Sequence, residues 1–100
     1  FSFLIRMIVS GLELEKTAFA AQVLHGYLHR HLAAEEQLLG PQEAPLAKIK
    51  DRYRMQLMLK GTDLFLLRLH LRNALAEYQK DGKIKKNIRI LIDIEPISMM

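Results

Sequence analysis

From Arg52 to Lys60 the chain alternates strictly. Tyr53, Met55, Leu57 and Leu59 take one parity; Arg52, Arg54, Gln56, Met58 and Lys60 take the other. Strand side chains repeat every two residues and helical ones every 3.6. The stretch therefore predicts a β-strand with one apolar face and one mostly basic, hydrogen-bonding face. The wider segment, residues 48–60, sets Lys48, Lys50, Arg52, Arg54 and Lys60 against Asp51 alone, a net charge of +4. The whole chain also carries +4, so the rest is balanced and the basic excess is local. A local excess points to a site for an anionic partner, whereas a diffuse one points only to solubility.

One hundred residues, half of them apolar, allow one domain, residues 1–100, with a modest core. The chain has no Cys, hence no disulfide framework and no thiolate zinc site. No basic-then-apolar leader argues for secretion, and the apolar runs fall far short of the roughly 20 residues of a membrane span. The first residue is Phe1, and the chain reads as a piece of a longer protein.

Phe3 to Val9 is short, apolar and β-branched, and stops at Ser10-Gly11. It predicts a first strand with Phe3, Ile5, Met7 and Val9 on the core face and Leu4, Arg6 and Ile8 outside. Leu12 to about Leu32 predicts a helix with Glu13 and Glu15 near its positive end. Its buried stripe is Thr17, Ala20, Ala21, Leu24, Tyr27, Leu28 and His31. Gly26 in its middle suggests close approach to the sheet. Residues 36–40 predict a short second strand. Gly40, Pro41 and Pro45 then exclude regular structure over 40–45, and residues 46–50 resume an extended ribbon. Thr62 or Asp63 is the expected N-cap of a second helix, lined by Leu64, Leu67, Leu71, Ala74, Leu75 and Tyr78. A turn at Asp81-Gly82-Lys83 leads to a last strand over 87–95. There Ile88, Ile90, Ile92 and Ile94 face in, Arg89, Leu91, Asp93 and Glu95 face out, and Pro96 ends the strand.

The order βαββαβ, with one-sided strands and amphipathic helices, requires two layers, the helices on one face of a sheet. The predicted class is α+β: a split βαβ sandwich with an antiparallel sheet in strand order 4-1-3-2. The basic strand and the first strand then lie at the centre, and Arg6, Arg52, Arg54 and Arg89 share the open face.

Catalytic and metal constellations are absent from the pattern. His25 and His29 stand four apart with His31 nearby, yet no Cys or close Glu completes a zinc set, and a solvated helix end has the same spacing. Asp93 and Glu95 share a strand face, but Arg89 beside them argues for ion pairing. No GxxxxGK[ST] loop is present, and Ser2, Ser10 and Ser98 lack an elbow. The five Met residues read as core filling. The fragment is expected to have no enzyme activity, no cofactor and no metal. The basic strand also fits a solvated or edge-guarding face. What favours anion binding is the clustering, with Tyr53 and Gln56 interleaved among guanidinium groups that grip phosphate or carboxylate bidentately.

Gly40-Pro41, the run Pro45 to Lys50 and the run Arg52 to Leu57 resemble the signature of the C-terminal domain of primosomal protein N′, the bacterial replication-restart helicase. The ending Ile92-Asp93-Ile94-Glu95-Pro96 looks like that family's terminal strand. Two positions depart from the pattern: Asp51 stands where Gly is common, and Met55 where a large aromatic is common. The resemblance implies a fold like ribosomal protein S10. It implies a cytoplasmic bacterial parent that unwinds DNA 3′ to 5′ with ATP, Mg and a zinc-binding insertion, none of which belongs to this fragment. It implies partners: forked or single-stranded DNA, single-stranded-DNA-binding protein, the parent's own motor lobes and primosome proteins, with no membrane. DNA contacts are expected at Lys48, Lys50, Arg52, Arg54 and Lys60. Arg52 and Gln56 match the positions that hold the acidic tail of single-stranded-DNA-binding protein.

Two other classes compete. An RNA-binding module of the ribosomal S10 kind needs aromatics on the open face, and the nearby candidate, Tyr53, is expected inward. A structural domain packing on the motor lobes is supported by Leu4, Ile8, Met58 and Leu91 outside.

Overall fold

The computed structural model describes residues 2–82 and 87–97, with backbone alone at 45–47 and 95–97. The elements are β1 (Ser2–Gly11), α1 (Leu14–Arg30), β2 (Gln37–Ile49), β3 (Arg52–Gly61), α2 (Leu64–Gln79) and β4 (Arg89–Ile97). The strands form one antiparallel sheet in the order β2-β3-β1-β4, as alternation and helix count predict. β1 and β3 are the inner strands. Their register sets Ile5 opposite Leu59, Met7 opposite Leu57 and Val9 opposite Met55. These side chains meet Ala20, Ala21, Leu24 and Leu28 of α1 and Leu67, Leu71 and Ala74 of α2 in one core. Each large side chain so buried stabilises the fold by about 1.5–3 kcal/mol relative to exposure.

Local chemistry sets the helix ends. Asp63 caps α2, its carboxylate accepting from the Leu66 N–H at 3.1 Å. Glu13 occupies the N-cap position of α1 without a side-chain cap. Thr17, fully buried, donates its hydroxyl to the Glu13 carbonyl at 2.7 Å. The two helices are joined by polar contacts. Tyr27 donates to Asp81 at 2.7 Å, and His31 meets Glu77 at 3.0 Å. Buried Glu36 accepts from the Ala33 N–H and faces His70 Nδ1 at 2.9 Å, tying the start of β2 to α2. Tyr78 closes the core, and burial, with Asp81 nearby, pushes its phenol up to about 12.

Four expectations are corrected. β2 runs through Gly40, Pro41 and Pro45 as one strand with register shifts at Leu39/Gln42 and Glu43/Lys48. An edge strand needs only half its amides for pairing, so proline is tolerated there at bulges. Gly40 supplies the φ of +93° that the first shift uses, a region open mainly to glycine. β4 likewise continues through Pro96, which pairs in register with Phe3. Close approach of α1 to the sheet falls at Gly11, where a Cβ would run into Thr17 and Ile88; Gly26 is exposed with open space around it. Finally, Ile92 and Ile94 lie on the helix side of the sheet but remain 42% and 38% exposed, because α2 does not cover them.

The β2–β3 hairpin turns at Lys50 and Asp51, both at positive φ (51° and 64°). Two left-handed residues between paired Ile49 and Arg52 make the primed turn whose twist matches the strands. Asp is among the few non-glycine residues that adopt this region readily, which accounts for Asp51 where glycine is common.

Gly26→Ala is expected to stabilise the domain by about 1 kcal/mol, since the helix gains propensity and no neighbour is displaced. A shifted denaturation midpoint at unchanged slope would register it.

Candidate functional site

The face of the sheet away from the helices carries the site. Its residues follow from register. Arg54 of β3 and Arg89 of β4 flank Ser10 of β1; Gln56 and Leu91 flank Ile8; Met58 and Asp93 flank Arg6. Arg52, bonded to Ser10, brings to three the arginines that the register gathers at the Ser10 end, with Arg54 and Arg89. Lys60 shares this face but lies six residues along β3 from Arg54, about 20 Å at roughly 3.3 Å per residue. Lys50 is in the turn beside Arg52. Lys48 belongs to the other side of the sheet: it pairs with Tyr53, and its ammonium sits 5.0 Å from that ring's centroid. Four of the five basic positions are thus near one end of the sheet, on two sides of it, and Lys60 is apart.

Arg52 is half-buried and engaged within the domain. Its Nε donates to Ser10 Oγ at 2.8 Å. Its Nη2 donates to the Ser10 carbonyl at 3.0 Å and to the Asn87 carbonyl at 2.6 Å. One guanidinium therefore clasps the start of β3, the end of β1 and the residue leading into β4. These bonds use Nε and Nη2; Nη1 is in none of them. Gln56 is buried beside Ile8 on the same face, four residues or about 13 Å along the strand from Arg52. Met55 packs against the core from the opposite face, so an aromatic there would not reach this site.

Sequence reasoning missed Ser10. The pattern only excludes it as a nucleophile, whereas the structure uses its hydroxyl and carbonyl as acceptors for Arg52. Ser10 and Arg52 are 42 residues apart in the chain, and the pairing follows from topology alone. Among the described residues no three His, Asp or Glu side chains gather as a metal set. His25 and His29 instead stack, rings 6.2 Å apart and within 7° of parallel. No helix among the described residues is long and apolar enough to cross a membrane.

A profile described as the primosomal protein N C-terminal domain matches residues 1–97. The chain belongs to that family. It is 34% identical over 98 residues to the replication restart protein PriA of Bacillus subtilis, a match covering 98% of this chain and 12% of that one. A PriA from Haemophilus influenzae is 39% identical over 62 residues, covering 60% of this chain and 8% of its own length. The chain thus spans about an eighth or less of these relatives. Among solved structures, the designed protein Foldit4 superposes with a TM-score of 0.69 at 10% identity, covering 98% of this chain and all of that one. The oxygenase SnoaB from Streptomyces nogalater does so at 0.53 and 11%, covering 98% and 95%. Identities that low speak to the fold alone.

Arg52→Ala is expected to destabilise the domain by about 1.5–3 kcal/mol, the range for hydrogen bonds to a charged group. Arg52→Lys should recover little, because an ammonium does not reproduce the planar fork. Urea unfolding of the three proteins measures both.

Proposed function

We propose that this domain serves in replication restart as the DNA- and partner-binding module of a larger, ATP-dependent 3′–5′ helicase. The observation that carries the reading is the guanidinium cluster Arg52, Arg54 and Arg89 on the open face, in a chain of the primosomal protein N family. Arginine forks suit phosphate oxygens, and Lys50 at the hairpin tip and Lys48 at its edge extend the positive field around the same end. The parent's motor, its ATP, Mg and zinc, its cytoplasmic setting and its primosome partners belong to the same proposal. An RNA-reading surface is disfavoured, because among the described residues the open face carries no aromatic and Tyr53 lies on the helix side. Packing on the motor lobes coexists with DNA binding: Leu91 is 60% exposed next to Ile8.

With about 3–5 phosphate contacts, the log–log salt slope on single-stranded DNA should fall near −2 to −4. Arg54→Ala and Arg89→Ala should each flatten it by about 0.7, and the distant Lys60→Ala by less. Anisotropy titrations across salt measure this; an affinity indifferent to salt would refute the electrostatic account.

The same face supports a second contact, with the acidic tail of single-stranded-DNA-binding protein at Arg52 and Gln56. Arg52 is the stronger candidate, since a guanidinium–carboxylate bond is charge-assisted and an amide contact is not. In the full-length helicase, Arg52→Ala should cost a tail peptide about 1.5–3 kcal/mol and Gln56→Ala about 0.5–1.5. Ser10→Ala separates the roles, because it weakens the clasp while leaving the guanidinium in place. Tail affinity that follows Ser10→Ala as closely as Arg52→Ala would mean that Arg52 acts only through the fold.

A further inference from the structure

α2 and β4 do not close on each other. Between them lies a groove of about 870 Å³, floored by Ile92 and Ile94 and walled by Leu64, Phe65, Leu69 and Leu75. Phe65 is 75% exposed. The expected interior isoleucines of β4 therefore look into open space that a helix would ordinarily fill. The charge on this groove has one sign. Arg68 and Arg72 line it, with Gln79 further along the same flank, and among the described residues none of the lining is acidic. Both arginines are exposed.

The outer edge of β4 bounds the groove. β4 pairs only with β1 in the described sheet, and it stands last in the order. A long, apolar edge strand presents a row of unpaired amides and is a template for another strand. Proteins usually protect such edges. Here Pro96 lies at the far end, and among the described residues no strand pairs with the outer edge from Arg89 to Glu95. A helix laid in the groove would cover the isoleucines but leave those amides unpaired; an added strand does both.

Spacing makes the match specific. Arg68 and Arg72 are one helical turn apart, about 6 Å along α2. Side chains two positions apart on a strand, which point the same way, are separated by about 6.6–6.8 Å. We infer that the α2–β4 groove docks an extended acidic segment of a partner, added as a strand on β4. It carries two carboxylates two positions apart facing Arg68 and Arg72, and large apolar residues at the next positions of the same parity, against Phe65, Ile92 and Ile94. Main-chain pairing supplies affinity and alternate side chains supply specificity. This surface is on the opposite side of the sheet from Arg52, Arg54 and Gln56, and it stands whether or not the DNA and tail readings do.

The test uses the 100-residue chain and a fluorescein-labelled nine-residue probe. The probe has Glu at its fourth and sixth positions, Val or Ile at the second and eighth, which share their face, and Ser elsewhere. Anisotropy should show saturable binding. Replacing both Glu by Gln in the probe, or Arg68→Glu with Arg72→Glu in the protein, should weaken binding by at least about tenfold, the equivalent of 1.4 kcal/mol. Both arginines are exposed, so the reversed protein should keep the thermal midpoint of the parent. Phe65→Ala should weaken binding. Amide hydrogen exchange should slow across Arg89–Glu95 when the probe is bound. The proposal fails if the Gln probe binds equally well, or if protection appears elsewhere than β4. It fails also if a single-stranded oligonucleotide displaces the probe while binding to the same arginines, which would make the groove a nucleic-acid site. Equally, if the chain dimerises and Ile92→Lys abolishes that, a second copy is the occupant.

Discussion

The pairing of β1 with β3 holds the rest of the domain in place. Ile5, Met7 and Val9 on one strand and Leu57 and Leu59 on the other supply most of the fully buried apolar surface of the sheet. Because strand side chains alternate, a slip of one residue between them would turn Arg52, Arg54 and Gln56 toward the helices and Leu57 and Leu59 toward water. Burying even one unpaired guanidinium costs several kcal/mol. The hydrophobic core and the position of the basic face are therefore one constraint. The hairpin turn at Lys50 and Asp51 adds to it, since a two-residue primed turn admits a single register.

Arg52 joins that constraint to the surface. Its guanidinium ties three chain segments together at the end of the sheet where the other two arginines gather. A residue in this position presents a positive charge with little conformational freedom left to lose. Holding a long side chain fixed in advance removes part of the ordering cost of binding, about 0.5–1.5 kcal/mol for a rotamer-rich group. The three internal bonds engage Nε and Nη2, and Nη1 is in none of them.

How far the sequence revealed this fold depends on where neighbours matter. Residues 53–59 were legible because both faces of an inner strand have unambiguous surroundings, core on one side and open sheet on the other. The cap of α2 was legible to within one residue, Thr62 or Asp63, because an N-cap is a local interaction, and the bond to the Leu66 N–H assigns it to Asp63. The prolines of β2 misled for the opposite reason. Whether a proline breaks a strand depends on its being at an edge, and edges exist only once the sheet is assembled. Gly26 misled because a glycine in a helix signals close approach only if something lies opposite, and the close approach was at Gly11. Ser10 could not be assigned from its surroundings in the chain, since its partner is 42 residues away.

Charge density along the chain had the same limitation. Five cations within residues 48–60 stand out on a strand, where alternate residues share a face. On α2, Arg68 and Arg72 share a flank across a full turn and are diluted by the leucines between them, so a count along the sequence passes over them. Ile92 and Ile94 are the counterpart of that omission. Their alternation correctly places them on the helix side, but alternation cannot say whether a helix reaches them. The geometry that decides is the position of α2, which packs toward α1 and the inner sheet and, among the described residues, leaves the flank of β4 uncovered. An apolar floor, a cationic wall and an unpaired strand edge coincide there because each comes from a different element that stops short of the others. None of the three would indicate a binding surface without its neighbours.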